Sequence, residues 1–497
     1  MFRLADPGAS MALPRTVRCA DSAWRLSALL AATLLSCSDP TAPASGPPGL
    51  RIVAGNGVTD TVSAVLSQAL IVELRNDLGR PVSGAEVRFV GVPYDPIRPT
   101  HMEAWSRHID SHRMSAETID TTDGDGRARV QVQLGIVAGS ARLTVHVPST
   151  GALDTARFTV LPGNVAGVVA DAKDTTITAG AGFRVGVRVV DRAGNLRDEP
   201  VTFAATGEGM SVDGDGNVST TVPARGFLVA ASGELADTVH LSVVPPGMFT
   251  AVLLEGVAAL WLVTLQLDGT GLRKLTALQN SRARQSWHPS GNHIVFEEEV
   301  NAAITEVRLF VIDMQGQRRR AVTSGTELVR ERTAKYSPDG QWLYFDGNDV
   351  SYRVRADGSG VERVPTPPGV AATWGPDASP DGVHLAVSGI GIQDVAGSSL
   401  TRLPVPGIYP RYSPDGTRLL YSNTATSALS VVNADGTEAR ELVSAHGYDP
   451  AVPPSWSADG NWILIRAQNG LELVRVANGE IIPLPYSGFL FQPSFRR

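Results

Sequence analysis

Short stretches in which apolar and polar residues alternate run along most of this chain, and this period of two predicts β-strands. In the first half, segments 69–74 and 185–190 alternate in this way, and each leads into a turn that contains aspartate and glycine. The chain has 50 glycines and 33 prolines among its 497 residues, a composition that suits many short strands joined by turns. We therefore predict an all-β protein.

The second half repeats a short phrase, an aromatic residue followed by Ser-Pro-Asp-Gly or a variant of it. We call the first residue of each copy the marker, and the markers are Trp287, Tyr336, Ala378, Tyr412, Trp456 and Phe495. Successive markers lie 34 to 49 residues apart, which is the period of a four-stranded propeller blade. Six markers predict six blades. Blade one has three strands before the first marker, at about 249–276, so the segment around 492–495 is expected to supply its innermost strand and close the ring.

Turns of the Asp-Gly or Asn-Gly type recur after the third strand of the blades, at 268–269, 357–358, 435–436 and 478–479. Together with Leu275 and Thr276, which end blade one, they resemble the TolB-type propeller repeat. This resemblance spans 248–497, and the region 247–497 is expected to form a six-bladed TolB-like β-propeller.

Two similar units precede the repeats. The turn at 77–82, the strand at 87–89 and the run Thr121 to Gly126 resemble bacterial Ig-like domains of the invasin and intimin type, and 213–216 matches part of this pattern. The resemblance implies two Ig-like β-sandwiches, at 50–162 and at 163–246. The first carries an inserted loop at about 90–117, and such domains mostly act as rigid spacers.

The N-terminal 37 residues have the pattern of an export signal, with arginines before an apolar stretch at 26–35. The end of this segment, Leu-Leu-Ser-Cys, resembles a bacterial lipoprotein box, which would make Cys37 the lipidated residue. A plain signal peptide cleaved nearby is the alternative, and either Met1 or Met11 could be the start. Segment 38–49 is predicted to be a flexible Gly/Pro linker. Ser38 beside the lipidated position implies, by the same resemblance, an outer-membrane lipoprotein of the bacterial cell envelope, facing either the periplasm or the surface.

Charge and motifs restrict the chemistry. The net charge of -7 has no basic footprint for nucleic acid. The Asp-rich segments 123–126 and 213–216 could bind calcium but are read as hairpin turns. His101, His108 and His112 could form a metal site if a short helix brought the last two together, whereas an exposed recognition loop is the alternative. No metal, cofactor or catalytic residue is predicted, because nucleotide-binding and nucleophile motifs are missing from the sequence.

A propeller usually binds at one face or at the mouth of its central channel. If the innermost strand carries each marker, the residues just before the markers line that channel. The candidate contacts are Arg284, Gln285, Lys335, Arg411 and Gln492. We predict a non-enzymatic envelope lipoprotein whose Ig-like stalk presents the propeller to a protein partner. A carbohydrate- or peptidoglycan-binding adhesion module is the alternative, followed by a propeller lyase or glycosidase, which would need a cluster of Asp, Glu and His at the channel mouth.

Overall fold

The computed structural model describes residues 46–95, 98–279, 283–301, 306–323, 328–366, 376–468, 470–486 and 490–496. Cys37 and the predicted export signal lie outside these residues. The described residues are all-β except for one short 3-10 helix, Ala445–Gly447. Within them, no helix has the length and apolar character needed to cross a membrane. The chain divides into two compact units, of which the first contains residues up to 135 and 140–159, and the second contains 136–139 and 160–497.

The first unit is built from eleven strands. They are β1 (Gly49–Ala54), β2 (Thr59–Thr61), β3 (Leu70–Arg75), β4 (Glu86–Gly91), β5 (Pro93–Asp95), β6 (Arg98–Met102), β7 (Ala104–His108), β8 (Glu117–Thr121), β9 (Arg127–Leu134), β10 (Gly139–Val147) and β11 (Ala152–Leu161). Two main sheets have the orders β1-β3-β9-β7 and β2-β11-β10-β4-β8. Each buries alternate residues, such as Val130 and Val132 in β9 and Val87 and Phe89 in β4, as expected for sheets with one buried face.

The segment expected to be an inserted, solvent-facing loop is instead largely strand, and this prediction was wrong. Strand β7 pairs antiparallel with β9, so that Ala104 lies opposite Leu134. Ala104 and Ser106 are fully buried, while His108 is exposed. The inward positions hold small residues, and the strand follows a proline-containing hairpin, β5–β6. Its period of two is masked in the sequence because the apolar Trp105 lies between the buried Ala104 and Ser106.

The second unit begins with ten strands in three sheets. They are β12 (Val165–Ala170), β13 (Asp174–Thr178), β14 (Gly182–Arg184), β15 (Val187–Asp191), β16 (Leu196–Arg197), β17 (Thr202–Thr206), β18 (Met210–Val212), β19 (Asn217–Thr220), β20 (Ala224–Ser232) and β21 (Leu235–Val244). The largest of these sheets has the order β13-β21-β20-β17. Its buried face includes Leu228, Val239 and Leu241.

The remaining strands form six four-stranded antiparallel sheets, numbered here in chain order. Sheet 1 contains β22 (Met248–Glu255), β23 (Ala259–Gln266), β24 (Arg273–Leu278) and β45 (Leu490–Phe495). Sheet 2 contains β25 (Gln285–Trp287), β26 (His293–Asn301), β27 (Glu306–Asp313) and β28 (Arg320–Ala321). Sheet 3 contains β29 (Glu331–Tyr336), β30 (Trp342–Gly347), β31 (Val350–Arg355) and β32 (Glu362–Arg363).

Sheets 4 to 6 repeat the same order. Sheet 4 contains β33 (Asp377–Ala378), β34 (His384–Val387), β35 (Gly391–Asp394) and β36 (Leu400–Arg402). Sheet 5 contains β37 (Gly407–Tyr412), β38 (Arg418–Asn423), β39 (Leu429–Asn433) and β40 (Arg440–Val443). Sheet 6 contains β41 (Ser455–Trp456), β42 (Trp462–Ala467), β43 (Gly470–Arg475) and β44 (Ile481–Pro483).

Strand β45 completes sheet 1 from the other end of the region. It pairs antiparallel with β22, with Phe249 opposite Phe495 and Leu253 opposite Leu490. This pairing, predicted from the repeat count, is confirmed. Sheets 2 to 6 are each continuous in sequence, and only sheet 1 combines distant segments.

Candidate functional site

The markers lie on one edge strand of each sheet, namely β45, β25, β29, β33, β37 and β41. All six marker side chains are buried. Each one packs against residues of its own sheet and of the preceding sheet. Trp287, for example, shares a core cluster with Val252 of sheet 1 and Ile294 of sheet 2, and Trp456 shares one with Leu420 of sheet 5 and Ile463 of sheet 6. The markers therefore pack between neighbouring sheets.

Hydrogen bonds near the markers join neighbouring edge strands. The Trp287 indole N–H donates to the Ser494 carbonyl oxygen at 3.0 Å. The Trp456 indole N–H donates in the same way to the Arg411 carbonyl at 3.1 Å. The Phe495 amide donates to Ser455 Oγ at 3.0 Å, which links β45 to β41. Strand β45 therefore contacts both the first and the last of the other marker strands.

The residue immediately before each marker faces a common space. A narrow cavity of about 20 Å³ is lined by such a residue from every one of the six sheets, Ser494, Ser286, Lys335, Asp377, Arg411 and Ser455. Equivalent positions from six sheets therefore line one space. We call this space, together with the cavity that adjoins it, the channel.

The adjoining cavity has about 340 Å³ of empty space and shares Lys335 and Arg411 with the first. All five residues predicted from the sequence, including Arg284, Gln285 and Gln492, line it. Only about 20 Å³ of it admits the centre of a water molecule, which is room for one or two waters. The channel is thus narrow, and it has room for one or two waters or for the tip of one side chain, not for a compact ligand.

Three marker strands carry an unusual backbone kink at the same position. Thr333, Tyr409 and Gln492 are each three residues before a marker and have positive φ angles of 55°, 54° and 49°. The strand registers shift at all three places, as in a β-bulge. Non-glycine residues in this conformation cost free energy and are retained where surrounding contacts hold them. The kinks recur in sheets 1, 3 and 5 and shape the wall of the channel.

The contacts around two of these kinks form a polar network behind the channel wall. The Arg284 guanidinium lies 5.3 Å from the centre of the Tyr409 ring and donates to the Tyr409 hydroxyl at 3.2 Å. The Thr333 amide donates to Glu297 Oε1 at 2.5 Å, and the Thr333 hydroxyl donates to Asp346. Glu297 is buried, and burial raises the pKa of its carboxyl to about 7, although the charges of Arg284 and Arg332 and the Thr333 amide oppose the rise.

This burial makes the stability of the ring depend on pH. A carboxyl whose pKa is higher in the folded than in the unfolded chain contributes stability that is complete below the unfolded value, about 4.5, and lost as the pH rises through the folded value. We expect the free energy of unfolding to fall by up to about 3 kcal/mol from this source between about pH 5 and pH 8. Glu297→Gln, which stays neutral, should remove that fall. Urea unfolding of the unmodified chain and of Glu297→Gln, each at pH 5 and at pH 8, measures this difference in the free energy of unfolding.

The matched control for this prediction is Glu255→Gln, which alters an exposed glutamate of sheet 1. In this variant the free energy of unfolding should fall between pH 5 and pH 8 as much as it does in the unmodified chain. An equal fall in Glu297→Gln would show that Glu297 is not the titrating group.

Two residue types of the channel were missed by sequence analysis. Asp377 and the serines 286, 455 and 494 occupy the same pre-marker position as Lys335 and Arg411. The position alone would have identified them, but only long polar side chains were selected. Asp377 is buried, and its Oδ2 accepts a hydrogen bond from the Tyr412 amide at 2.9 Å.

The aspartates that follow the markers cap tight turns. Asp339, Asp381, Asp415 and Asp459 each accept a hydrogen bond from the backbone amide two residues later, at 3.0–3.1 Å. These bonds and those from the preceding serines lower the pKa of the four carboxyls. In the same way, Asp123 and Asp213 each accept a hydrogen bond from a backbone amide of their own turn.

The histidines of the first unit do not form a helix. His108 ends strand β7, and its Nε2 lies 3.3 Å from Asp120 Oδ1, while His112 follows in a turn region. The side chain of His101 lies outside the described residues. Among the side chains that the structure describes, no group of three or more His, Cys, Asp or Glu is arranged to hold a metal ion.

Comparisons with known proteins give similarity in structure only. No protein-family model matches the chain. No curated protein sequence matches it either. Among solved structures, TolB from Acinetobacter baumannii is 14% identical with a TM-score of 0.43, covering 66% of this chain and 99% of that one. A putative TolB from Agrobacterium tumefaciens is 15% identical with a TM-score of 0.38, covering 50% and 92%. The nidogen/laminin complex is 10% identical with a TM-score of 0.40, covering 50% and 99%. At identities and TM-scores this low, function is argued from the site alone.

Proposed function

We propose that residues 247–497 form a six-bladed β-propeller that binds a protein partner of the cell envelope at the mouth of its channel. The observation that carries this proposal is the convergence of one pre-marker residue from each of six sheets on a single cavity. A ring of rigid sheets that presents a shared opening is a binding platform, and propellers usually bind at this opening or at a face.

The charge of the channel indicates which part of a partner enters it. Arg284, Lys335 and Arg411 line its walls, and among the described lining residues the opposing carboxylate is Asp377. The net positive lining favours an acidic side chain or a carboxylate terminus on an extended segment. A catalytic pair of carboxylates would need a different lining, so we propose that the protein is not an enzyme.

The rest of the chain serves presentation in this proposal. Residues 50–162 and 163–246 act as Ig-like sandwiches that space the propeller from the membrane, which fits their composition of small, mostly antiparallel sheets. Cys37 carries the lipid anchor, and the linker 38–49 connects it to the first sandwich. The protein would then be an outer-membrane lipoprotein.

Charge reversal in the channel tests the binding proposal. With the full chain as bait in envelope extracts, Lys335→Glu should reduce capture of the specific partner by about tenfold or more, because a cation in the channel becomes an anion. Mass spectrometry of the captured proteins measures the change.

The matched control is Arg363→Glu, which makes the same charge change in the outermost strand of the same sheet, where the side chain is exposed. It should leave capture unchanged. Equal capture by all three chains, or no protein enriched over a blank support, would contradict the proposal.

A further inference from the structure

A second, larger opening lies in the second unit, away from the channel. Its cavity volume is about 770 Å³. One side is the outer face of the sheet β13-β21-β20-β17, and the other is the segment Pro483 to Pro485 that follows sheet 6. We call this opening the cleft. Its size fits a ligand of several rings.

The floor of the cleft consists of two rows of side chains across three strands. Asp174 lies opposite His240, and His240 lies opposite Phe227. Two residues further along, Thr176, Ser242 and Arg225 form the second row. Directly opposed residues, and residues two apart on one strand, point to the same face of a sheet. All six side chains therefore face the cleft.

The first row is ordered by its own contacts. His240 Nδ1 lies 3.4 Å from Asp174 Oδ1. The His240 and Phe227 rings meet edge to face, with centres 5.2 Å apart. Phe227 is nevertheless 47% exposed, although its strand neighbour Leu228 is fully buried in the core. A half-exposed aromatic ring among polar groups offers a ligand an apolar face beside hydrogen-bonding side chains.

The two sides of the cleft are joined by specific contacts. The Thr178 hydroxyl donates to Asp268 Oδ2 of the turn after β23 at 2.8 Å. Val244, at the end of β21, is fully buried in one core cluster with Phe249 and Leu484. Arg475 of β43 donates to the Pro223 carbonyl oxygen. A site between such tied elements is preorganised for its ligand.

The backbone groups of residues 225–227 on the floor and of Leu484 on the other side are already occupied. Residues 225–227 pair with β21, and Phe227 also pairs with β17. The Leu484 amide donates to the Leu471 carbonyl oxygen, and Pro483 and Pro485 have no N–H to offer. Recognition along these surfaces must therefore use side chains. This disfavours an extended peptide, which is bound mainly through main-chain hydrogen bonds.

The charges in the cleft nearly balance. Arg225 and Asp174 both line the floor, and Glu472 of β43 is close enough for the charge of Arg225 to act on it. Burial raises the pKa of Glu472, and the charge of Arg225 opposes that rise. A polyanion would meet the two carboxyl groups, so an uncharged ligand suits the site better.

We propose that the cleft binds a short neutral oligosaccharide. A sugar ring has an apolar C–H face and a rim of hydroxyls. The Phe227 ring would contact that face, and Arg225, His240, Asp174 and the hydroxyls of Thr176 and Ser242 would donate to and accept from the rim. This site is separate from the channel and adds a glycan-binding function to the protein-binding function proposed above.

Calorimetric titration of the full chain with chitotriose, cellotriose and maltotriose at millimolar concentration tests the proposal. At least one of the three should bind. Phe227→Ala should weaken that binding by about tenfold or more, whereas Phe227→Trp, which keeps an aromatic face, should retain it. Because Phe227 is half-exposed, the alanine variant should fold, and an unchanged thermal unfolding transition verifies this.

The control is Leu196→Ala, which removes another exposed apolar side chain of the same unit and should bind like the unmodified chain. Lys335→Glu should also leave saccharide binding unchanged, which separates this test from that of the channel. Failure of all three saccharides to bind, or equal affinity in Phe227→Ala, would overturn the proposal. Loss of protein capture in Phe227→Ala without saccharide binding would reassign the cleft to a protein partner and overturn it as well.

Discussion

A chain that ends at Tyr486 is expected to lose the cooperative unfolding of the six-sheet region. Without β45, sheet 1 lacks its inner strand, and the edge of β22 is exposed. Leu490 and Phe495, which are 3% and 4% exposed, would be lost from the core. Burial of these two side chains alone is worth roughly 3–6 kcal/mol, against about 5–15 kcal/mol for the net stability of a typical domain. Differential scanning calorimetry measures the transition.

Addition of the missing strand as a separate peptide provides a second test of the same prediction. A synthetic peptide of residues 487–497 should bind the truncated chain and recover the transition, because β45 pairs with β22 through side chains and backbone that the peptide retains. The same peptide with Phe495→Ala should recover it poorly. A truncated chain that unfolds like the complete one would show that β45 does not hold the ring together.

Trp456→Ala is expected to have the largest effect of any single substitution among the markers. Its side chain is 1% exposed and lies between sheets 5 and 6. Removal of a buried tryptophan costs about 3–5 kcal/mol. Trp456→Phe keeps most of the packing but loses the indole donor to the Arg411 carbonyl, and it should cost about 1–2 kcal/mol. Chemical unfolding monitored by circular dichroism gives both values.

An exposed position provides the reference for these two variants. Val257, at the tip of the β22–β23 hairpin, is fully exposed, and Val257→Ala should change the stability by about 0.5 kcal/mol or less. If Trp456→Ala lowered the free energy of unfolding no more than Val257→Ala does, packing of the marker between the sheets would not contribute to stability.

Much of the architecture of 248–496 could be predicted because one local signal repeats. The aromatic marker identifies the edge strand of each sheet, and the Ser-Pro-Asp-Gly turn that follows identifies the turn of its first hairpin. The pairing of Phe249 with Phe495 then followed from an incomplete sheet at one end and an extra strand at the other. Sheet 4, where Ala378 replaces the aromatic, keeps the same strand order because Ala378 still packs between sheets, against Tyr344 and Leu385.

What the sequence did not reveal depends on contacts between distant segments. The kinks at Thr333, Tyr409 and Gln492 have no local signature, since none of the three is a glycine or an asparagine, the residues that favour positive φ. Strand β7 was missed because its buried positions are small. The cleft was missed because Phe227 and Pro483 are brought together only by the packing of sheet 6 beside strands β20 and β21.

The pairing of β22 with β45 also has a consequence for the order in which the sheets can form during synthesis. Phe249 and Phe495 are partners although nearly the whole six-sheet region separates them along the chain. During synthesis sheets 2 to 6 can each fold as they emerge, whereas sheet 1 waits for residue 495. The nascent protein therefore remains an open arc until that point, and such late, long-range joining is slow compared with local hairpin formation.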